Sequence, residues 1–333
     1  MFGRAASGDR LARIERSPNY RDGKFHNQEI TEQITGDVSR SKLMYDFFFE
    51  ERVNNRPNNS ITAVKSDLHN LNIDEDIVVW FGHSSYFIQS SGKRFLVDPV
   101  FDQASPISLF NKPFKGTEIY QAEDMPNIDI LFISHDHWDH LDYETVSKLR
   151  ERVTKVVCPL GVGEHFERWG YSEDQIVEMD WNESITPIES VNIHCLPSRH
   201  FSGRTFKSNQ TLWASFMIEG KNKNIYLSGD GGYGKHFAEI AKRFPDIDIA
   251  IMENGQYNKS WSQIHLMPED LVKAINELNP KMVFAGHNSK YALAKHSWYE
   301  PLNNVEEIES VVMPMIGEIF QLDQQKEKSE RWW

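Results

Sequence analysis

The sequence predicts an α/β layered protein with sheets inside and helices outside, and three observations carry that reading. Short β-rich runs broken by turn residues fill two stretches, residues 77–133 and 191–285. Segments of helical character lie between those runs. The chain has 333 residues, 39% of them hydrophobic and 12% aromatic, enough for one large core or two smaller ones.

Residues 1–75 form an N-terminal extension expected to pack on the core, polar and irregular through residue 60. One amphipathic island interrupts it, Leu43-Met44-Tyr45-Asp46-Phe47-Phe48-Phe49. It reads either as a segment packed on the main body or as an apolar surface for a lipid-like substrate or a peripheral membrane contact. The texture changes at residue 76. Ile77–Phe81, Tyr86–Ile88 and Arg94–Asp98 are predicted strands, punctuated by Gly82-His83-Ser84 and Ser90-Ser91-Gly92-Lys93 in the manner of a β-meander.

A fourth strand, Asp129–Ile133, runs directly into a histidine-rich string. A helix over Tyr143–Arg150, a strand over Thr154–Cys158 and a helix over Gly161–Trp169 follow. The second half repeats this texture more loosely, with strands at 191–196, 211–218 and 224–228. A helix over His236–Phe244 leads to a strand over Ile247–Met252. The next helix, Pro268–Leu278, opens with proline and two acids and precedes the strand Met282–Ala285. A catalytic domain is thus expected over 76–323, with a frayed, solvated tail over 324–333.

The formal net charge of −13 disfavours binding to phosphate backbones, so no nucleic-acid partner is expected. No stretch approaches the roughly 18 apolar residues of a membrane span, and Met1 to Arg16 lacks the apolar core of a signal peptide. The expected location is cytoplasmic or peripheral to a membrane, an exported form with a trimmed leader remaining an alternative. The two cysteines, Cys158 and Cys195, lie in strand-like runs and read as buried thiols, in keeping with a reducing compartment.

The chemistry concentrates in His135-Asp136-His137-Trp138-Asp139-His140. Residues i and i+2 of an extended segment project to one side, so His135 and His137 can grip one metal while Asp139 and His140 face a second position. Imidazoles and carboxylates are the ligands that zinc and related ions accept. Further ligands should end other predicted strands, where loops reach the same pole. His200, Asp230 and His287 satisfy that condition, and a carboxylate such as Asp230 can bridge two ions. Isolated His83, His194 and His296 read as structural.

This order of residues resembles the metallo-β-lactamase superfamily over about residues 76–320. The resemblance implies an αββα sandwich holding two divalent metal ions, zinc by expectation and manganese or iron as alternatives. His135, His137 and His200 would bind the first ion and Asp139, His140 and His287 the second, with Asp230 bridging. A finer resemblance is to the branch of N-acylphosphatidylethanolamine-hydrolysing phospholipase D and ascorbate-6-phosphate lactonase. It rests on Trp80–His83, Phe95–Phe101, Ile133–Tyr143 and Tyr291–Ala294. It implies active-site roles for Asp139, for His265 outside the metal shell, where it can hold a phosphate or assist a leaving group, and for Asp98, as support for a ligating histidine. Asp98 also reads as a turn aspartate before Pro99. Gly231 and Gly232 depart from the threonine-glycine expected after the bridging aspartate, and Asn288-Ser289-Lys290 is more polar than the phospholipase pattern.

The expected activity is hydrolysis by water activated between two ions, first of a phosphodiester in a phospholipid or similar amphiphile. Lactone or amide hydrolysis on the same metals is the alternative. A di-iron redox centre is a further one, although flavodiiron relatives carry a glutamate where His137 stands. Oligomeric state is not legible in the sequence.

Overall fold

Strands covered on both faces read as unbroken apolar runs, and Ile77-Val78-Val79-Trp80 is buried at all four positions. The computed structural model describes residues 1–36, 53–102, 104–106, 111–205, 207–323 and 331–333. The island at Leu43–Phe49 lies outside the described residues.

The first half supplies β3 (Ile77–Trp80), β4 (Tyr86–Ser90), β5 (Lys93–Val97), β6 (Ile128–Phe132), β7 (Val153–Pro159) and β8 (Ile176–Met179). The second supplies β9 (Ser184–Ile188), β10 (Val191–Leu196), β11 (Ser215–Glu219), β12 (Asn224–Leu227), β13 (Ile249–Glu253), β14 (Met282–Gly286) and β15 (Val311–Val312). The chain then returns as β16 (Ile319–Gln321) to the edge of the first sheet beside β3. Among the described residues each sheet has seven strands, ordered β16-β3-β4-β5-β6-β7-β8 and β15-β14-β13-β12-β11-β10-β9.

Pairing follows one pattern in both sheets. An antiparallel meander gives way to parallel strands, from β5 to β8 in the first sheet and from β12 to β15 in the second. Parallel neighbours need crossovers, and helices provide most of them: α2 (Tyr143–Leu149), α3 (Gly163–Arg168), α4 (His236–Arg243), α5 (Pro268–Leu278) and α6 (Glu300–Val305).

Side-chain alternation sorts the core into three layers. Val78, Trp80, Phe132, Phe216, Ile251 and Phe284 meet between the sheets. Ile77, Val79, Leu131 and Cys158 turn outward beneath Val146, Leu149 and Phe166, whereas Met217, Tyr226 and Ala250 lie under Phe237, Leu271 and Ile275. The result is the αββα sandwich. Both thiols are free and buried, in different layers, and burial pushes both up.

Several expectations change. The strand expected from 211 begins at Ser215, because Leu212 and Ala214 donate their N–H groups to Leu160 and Ser134 in the first half instead of to β10. The edge strands β8 and β9 went unpredicted, being short, half-exposed and, in β9, interrupted by Pro187.

The N-terminal region is not uniformly irregular. It contains α1 (Gly8–Glu15) and a hairpin of β1 (Tyr20–Arg21) and β2 (Lys24–Phe25), turning on Asp22-Gly23 with both φ positive. An eight-residue helix is marginal alone. Here Ile14 is buried and Arg10 pairs with Glu164 at 2.6 Å and Glu178 at 2.6 Å. The end of the tail is not frayed: Trp332 packs on Trp80 at 6.1 Å and donates to Met313 O, and Trp333 donates to Asn303. Aromatic area on two adjacent residues outweighs the polarity of the residues before them.

Candidate metal centre

The functional side chains leave the sandwich at one pole. β3, β5, β6, β10, β12, β13 and β14 all run toward it, so each strand's C-terminal end delivers a residue there. They deliver in turn His83, Asp98, the string at 135–140, His200, Asp230, Glu253 and His287. The string is held as a tight loop by Asp142, which caps α2 by accepting from Glu144 N and Thr145 N. Asp136 is partnered from outside the string. It accepts from Gly203 N at 2.7 Å and pairs with His165 at 3.2 Å, bracing the loop from behind.

The structure brings all seven sequence-predicted ligands together. His137 Nδ1 lies 2.8 Å from His135 Nε2 and 3.2 Å from His200 Nε2. On the other side, Asp230 Oδ2 is 3.2 Å from His140 Nε2 and 3.0 Å from His287 Nε2. Asp139 Oδ2 is 3.7 Å and 3.5 Å from the same two nitrogens. Asp230 also stands 4.0 Å from His200 Nε2, so its carboxylate lies between the two groups.

Whether these residues fit a pair of cations is decided by their protons. His200 Nδ1 donates to Ile264 O at 2.7 Å, His287 Nδ1 to Gly255 O at 3.2 Å, and His140 Nδ1 to Asp98 Oδ2 at 2.8 Å. His135 Nδ1 donates to Ser134 Oγ at 3.0 Å, whose own proton goes to Asp98 at 2.6 Å. Each Nδ1 thus donates outward, leaving four Nε2 atoms aimed inward as the nitrogens that would meet a cation. Converging nitrogen lone pairs repel one another and attract a cation, so the residues fit. His140 Nε2, His287 Nε2 and Asp230 Oδ1 are buried and have no hydrogen-bond partner among the described residues.

Charge divides the cluster. Burial, reinforced by neighbouring histidines, holds His135 and His200 well below the usual histidine range. Around His140 burial is outweighed by Asp230 and Asp139, and the ring is pushed up to about 10, so without a cation Nε2 also holds a proton, one that a bound cation would displace. The same contacts overcome the burial of Asp230 and Asp139 and hold both carboxyls well below their ordinary range. One half is therefore a neutral nest of three nitrogens, and the other carries the two carboxylates.

Asp98 touches His140 and Ser134, accepting from Ser134 N as well at 2.8 Å. His265 lies beside Asp230, 3.9 Å from Oδ2, with Nδ1 bonded to Glu253 Oε1. Glu253 was not singled out in the sequence, and His83 read as structural. Glu253 also accepts from Gly231 N at 2.8 Å, and His83 lies 3.0 Å from Asp139 Oδ2. The signal for both was position: a charged residue ending the apolar run Ile249–Met252, and a histidine in the turn after β3, at the pole where the other ligands gather.

The two departures from the phospholipase pattern are packed inside the fold. A Cβ on Gly231 would collide with Ser198 Oγ, and one on Gly232 with Gln263 O, so loops from either side occupy the space a threonine would need. Asn288 Nδ2 donates to three backbone carbonyls and Lys290 Nζ to Val100 O at 2.8 Å. The N-terminal segment joins the wall, with Asn27 bonded to both His200 O and His200 N.

Comparisons with known proteins agree with this geometry. A family model described as a β-lactamase superfamily domain matches residues 93–288. A protein of uncharacterised function from Mycobacterium tuberculosis is 35% identical, covering 91% of this chain and 84% of its own. The N-acyl-phosphatidylethanolamine-hydrolyzing phospholipase D 1 of Caenorhabditis elegans is 27% identical over 72% of this chain and 73% of its own. Igni18, a metallo hydrolase from Ignicoccus hospitalis, superposes with a TM-score of 0.58 at 17% identity, over 76% of this chain and all of the other. CmlA, a diiron β-hydroxylase from Streptomyces venezuelae, gives 0.56 at 18% identity over 74% of this chain and 54% of its own. At such identities the last two speak to the fold alone.

Proposed function

The chain belongs to the β-lactamase superfamily and is a metal-dependent hydrolase of that family; from that premise we propose that it cleaves a phosphodiester, of a phospholipid or a similar amphiphile. The observation that carries the reading is the paired cluster, three neutral nitrogens against two carboxylates and two further imidazoles, with His265 beside it. We assign His135, His137 and His200 to one divalent ion, Asp139, His140 and His287 to a second, and Asp230 to both, with zinc as the expected metal. Two such ions, when bound, lower the pKa of water and polarise the bond to be cut.

The chain's own residues supply the rest. Asp98, by accepting from His140 Nδ1, leaves Nε2 as the nitrogen that would meet a cation. Glu253 holds His265 by Nδ1, so Nε2 is the ring's remaining polar atom. That side chain is 14% exposed where those of His140 and His200 are at 0%, which puts His265 within reach of a substrate. A single partly exposed imidazole beside the cluster suits a non-bridging phosphoryl oxygen or a leaving oxygen. The likeness to the C. elegans phospholipase supports the same substrate class. A membrane contact through Leu43–Phe49 would serve such a substrate, and liposome flotation tests it.

The deciding experiment combines elemental analysis with turnover. Purified protein should hold about two zinc, manganese or iron per chain and hydrolyse bis(p-nitrophenyl) phosphate, with Asp139→Ala as the blank. Turnover of a simple lactone but not of the diester would replace this reading with the lactonase alternative. Turnover unchanged in Asp139→Ala would remove the assignment of the second ion.

A further inference from the structure

We propose that His83 is a positioning residue for the second ion, gripping two of its ligands at once, Asp139 through its ring and His287 through its backbone. The inference rests on the two-ion reading above.

His83 sits in the turn after β3 with φ 54°, in the left-handed region that few buried non-glycine residues occupy. That conformation is held from three sides. His83 N donates to Asn288 O at 2.8 Å, His287 N donates to His83 O at 2.8 Å, and Trp80 Nε1 donates to the same oxygen at 2.9 Å. The two strand-end loops, one from each sheet, thus form a single antiparallel bridge, His83 to Asn288. His287 itself has φ 64°. The loop that carries this ligand is therefore set by the backbone of residue 83.

The ring is fully buried and lies 4.3 Å from the His287 ring, centroid to centroid. Nε2 is 3.0 Å from Asp139 Oδ2, and Nδ1 has no partner among the described residues. An ionised carboxylate only accepts, so the ring proton belongs on Nε2 and the buried Nδ1 is a bare lone pair. That N–H donor fixes one carboxylate oxygen of Asp139. Asp139 ends a half-exposed stretch of the string, its side chain 15% exposed where that of His140 is at 0%. From the first sheet's strand-end loops, the His83 ring supplies a hydrogen bond that holds the orientation of Asp139.

Outer hydrogen-bond partners of metal ligands are commonly worth 10–100-fold in metal affinity. The test is zinc titration of the metal-free full chain, with chelator competition, for wild type, His83→Met and His83→Gln. Both replacements are unbranched, reach about as far as the imidazole and meet the same backbone strain. Only glutamine keeps an N–H donor. Wild type should bind two zinc ions. His83→Met should bind the first with unchanged affinity and the second 10–100-fold more weakly, and His83→Gln should recover most of that loss.

A methionine variant that holds both ions as tightly as wild type overturns the proposal, as do two variants impaired to the same degree. Should neither variant fold, nitrogen-15 histidine NMR of the zinc-loaded wild type decides. An exchange-protected His83 Nε2–H supports the proposal, whereas a ring without that proton, ligating an ion itself, refutes it. A wild type that binds no zinc removes the two-ion reading and this inference together. Two ions in wild type beside an unaffected methionine variant remove this inference alone.

Discussion

Replacing Asp98 by asparagine changes one oxygen to an amide and removes one charge, yet it should cost the site most of its second ion. Asp98 has φ 40°, which asparagine tolerates, so the backbone is not newly strained. The carboxylate accepts from Ser134 N at 2.8 Å, Ser134 Oγ at 2.6 Å and His140 Nδ1 at 2.8 Å. An amide placed to keep the first bond turns its NH2 toward the other two. The serine hydroxyl can rotate and accept. His140 can accept only by moving its proton from Nδ1 to Nε2, the atom 3.2 Å from Asp230, and a protonated Nε2 cannot bind a metal. The loss is one hydrogen bond to a charged group, about 1.5–3 kcal/mol. Converted at 1.4 kcal/mol per decade, that is roughly 10–100-fold in affinity. The first ion should weaken less, because Ser134 Oγ still accepts from His135 Nδ1. Zinc titration with chelator competition, alongside turnover of the diester, measures both effects. Asp98→Asn protein that binds two ions with wild-type affinity would refute the tautomer argument.

Three further outcomes follow from the same geometry. Chelation should lower the melting temperature by several degrees, with recovery on adding zinc. A ligand at a thousand times its Kd contributes about 4 kcal/mol, and differential scanning fluorimetry showing no shift would count against a metal-stabilised cluster. Gly231→Ala should destabilise by about 1–3 kcal/mol through its collision with Ser198 Oγ. A double-mutant cycle with Ser198→Ala should return a favourable coupling, and strict additivity would argue against the contact. Lys290 is fully buried, and burial pushes its amine from 10.5 down to about 8. Between about pH 8 and 10.5 the unfolded chain binds more protons there than the native one, so this group's contribution to stability rises with pH. Denaturant melts should show wild type gaining roughly 3 kcal/mol on Lys290→Met across that interval, with a flat difference below pH 8; a difference that falls with pH would reverse the assignment.

Much of the fold was legible along the chain because strands buried on both faces leave continuous apolar runs. β3, β6, β12 and β14 were found for that reason, as was α5 from its proline and acids. Polar edge strands such as β9 leave no such trace, and α1 is anchored by Arg10 pairing with the distant Glu164 and Glu178 and by burial of Ile14 in the core.

The site divides along the same line. Ligand identity is chemistry, written in residue types and in their place at strand ends, so His135, His137, Asp139, His140, His200, Asp230 and His287 could be named before any coordinates. The proton on each ring, the bond from Asp98 to His140, the Glu253 contact to His265 and the grip of His83 on Asp139 are set by distances between loops far apart in sequence. Those distances depend on how two sheets stack, and stacking comes from packing the interior rather than from any local pattern. The sequence by itself determined which atoms can bind a metal. The tertiary structure decided which of their lone pairs are free to do so.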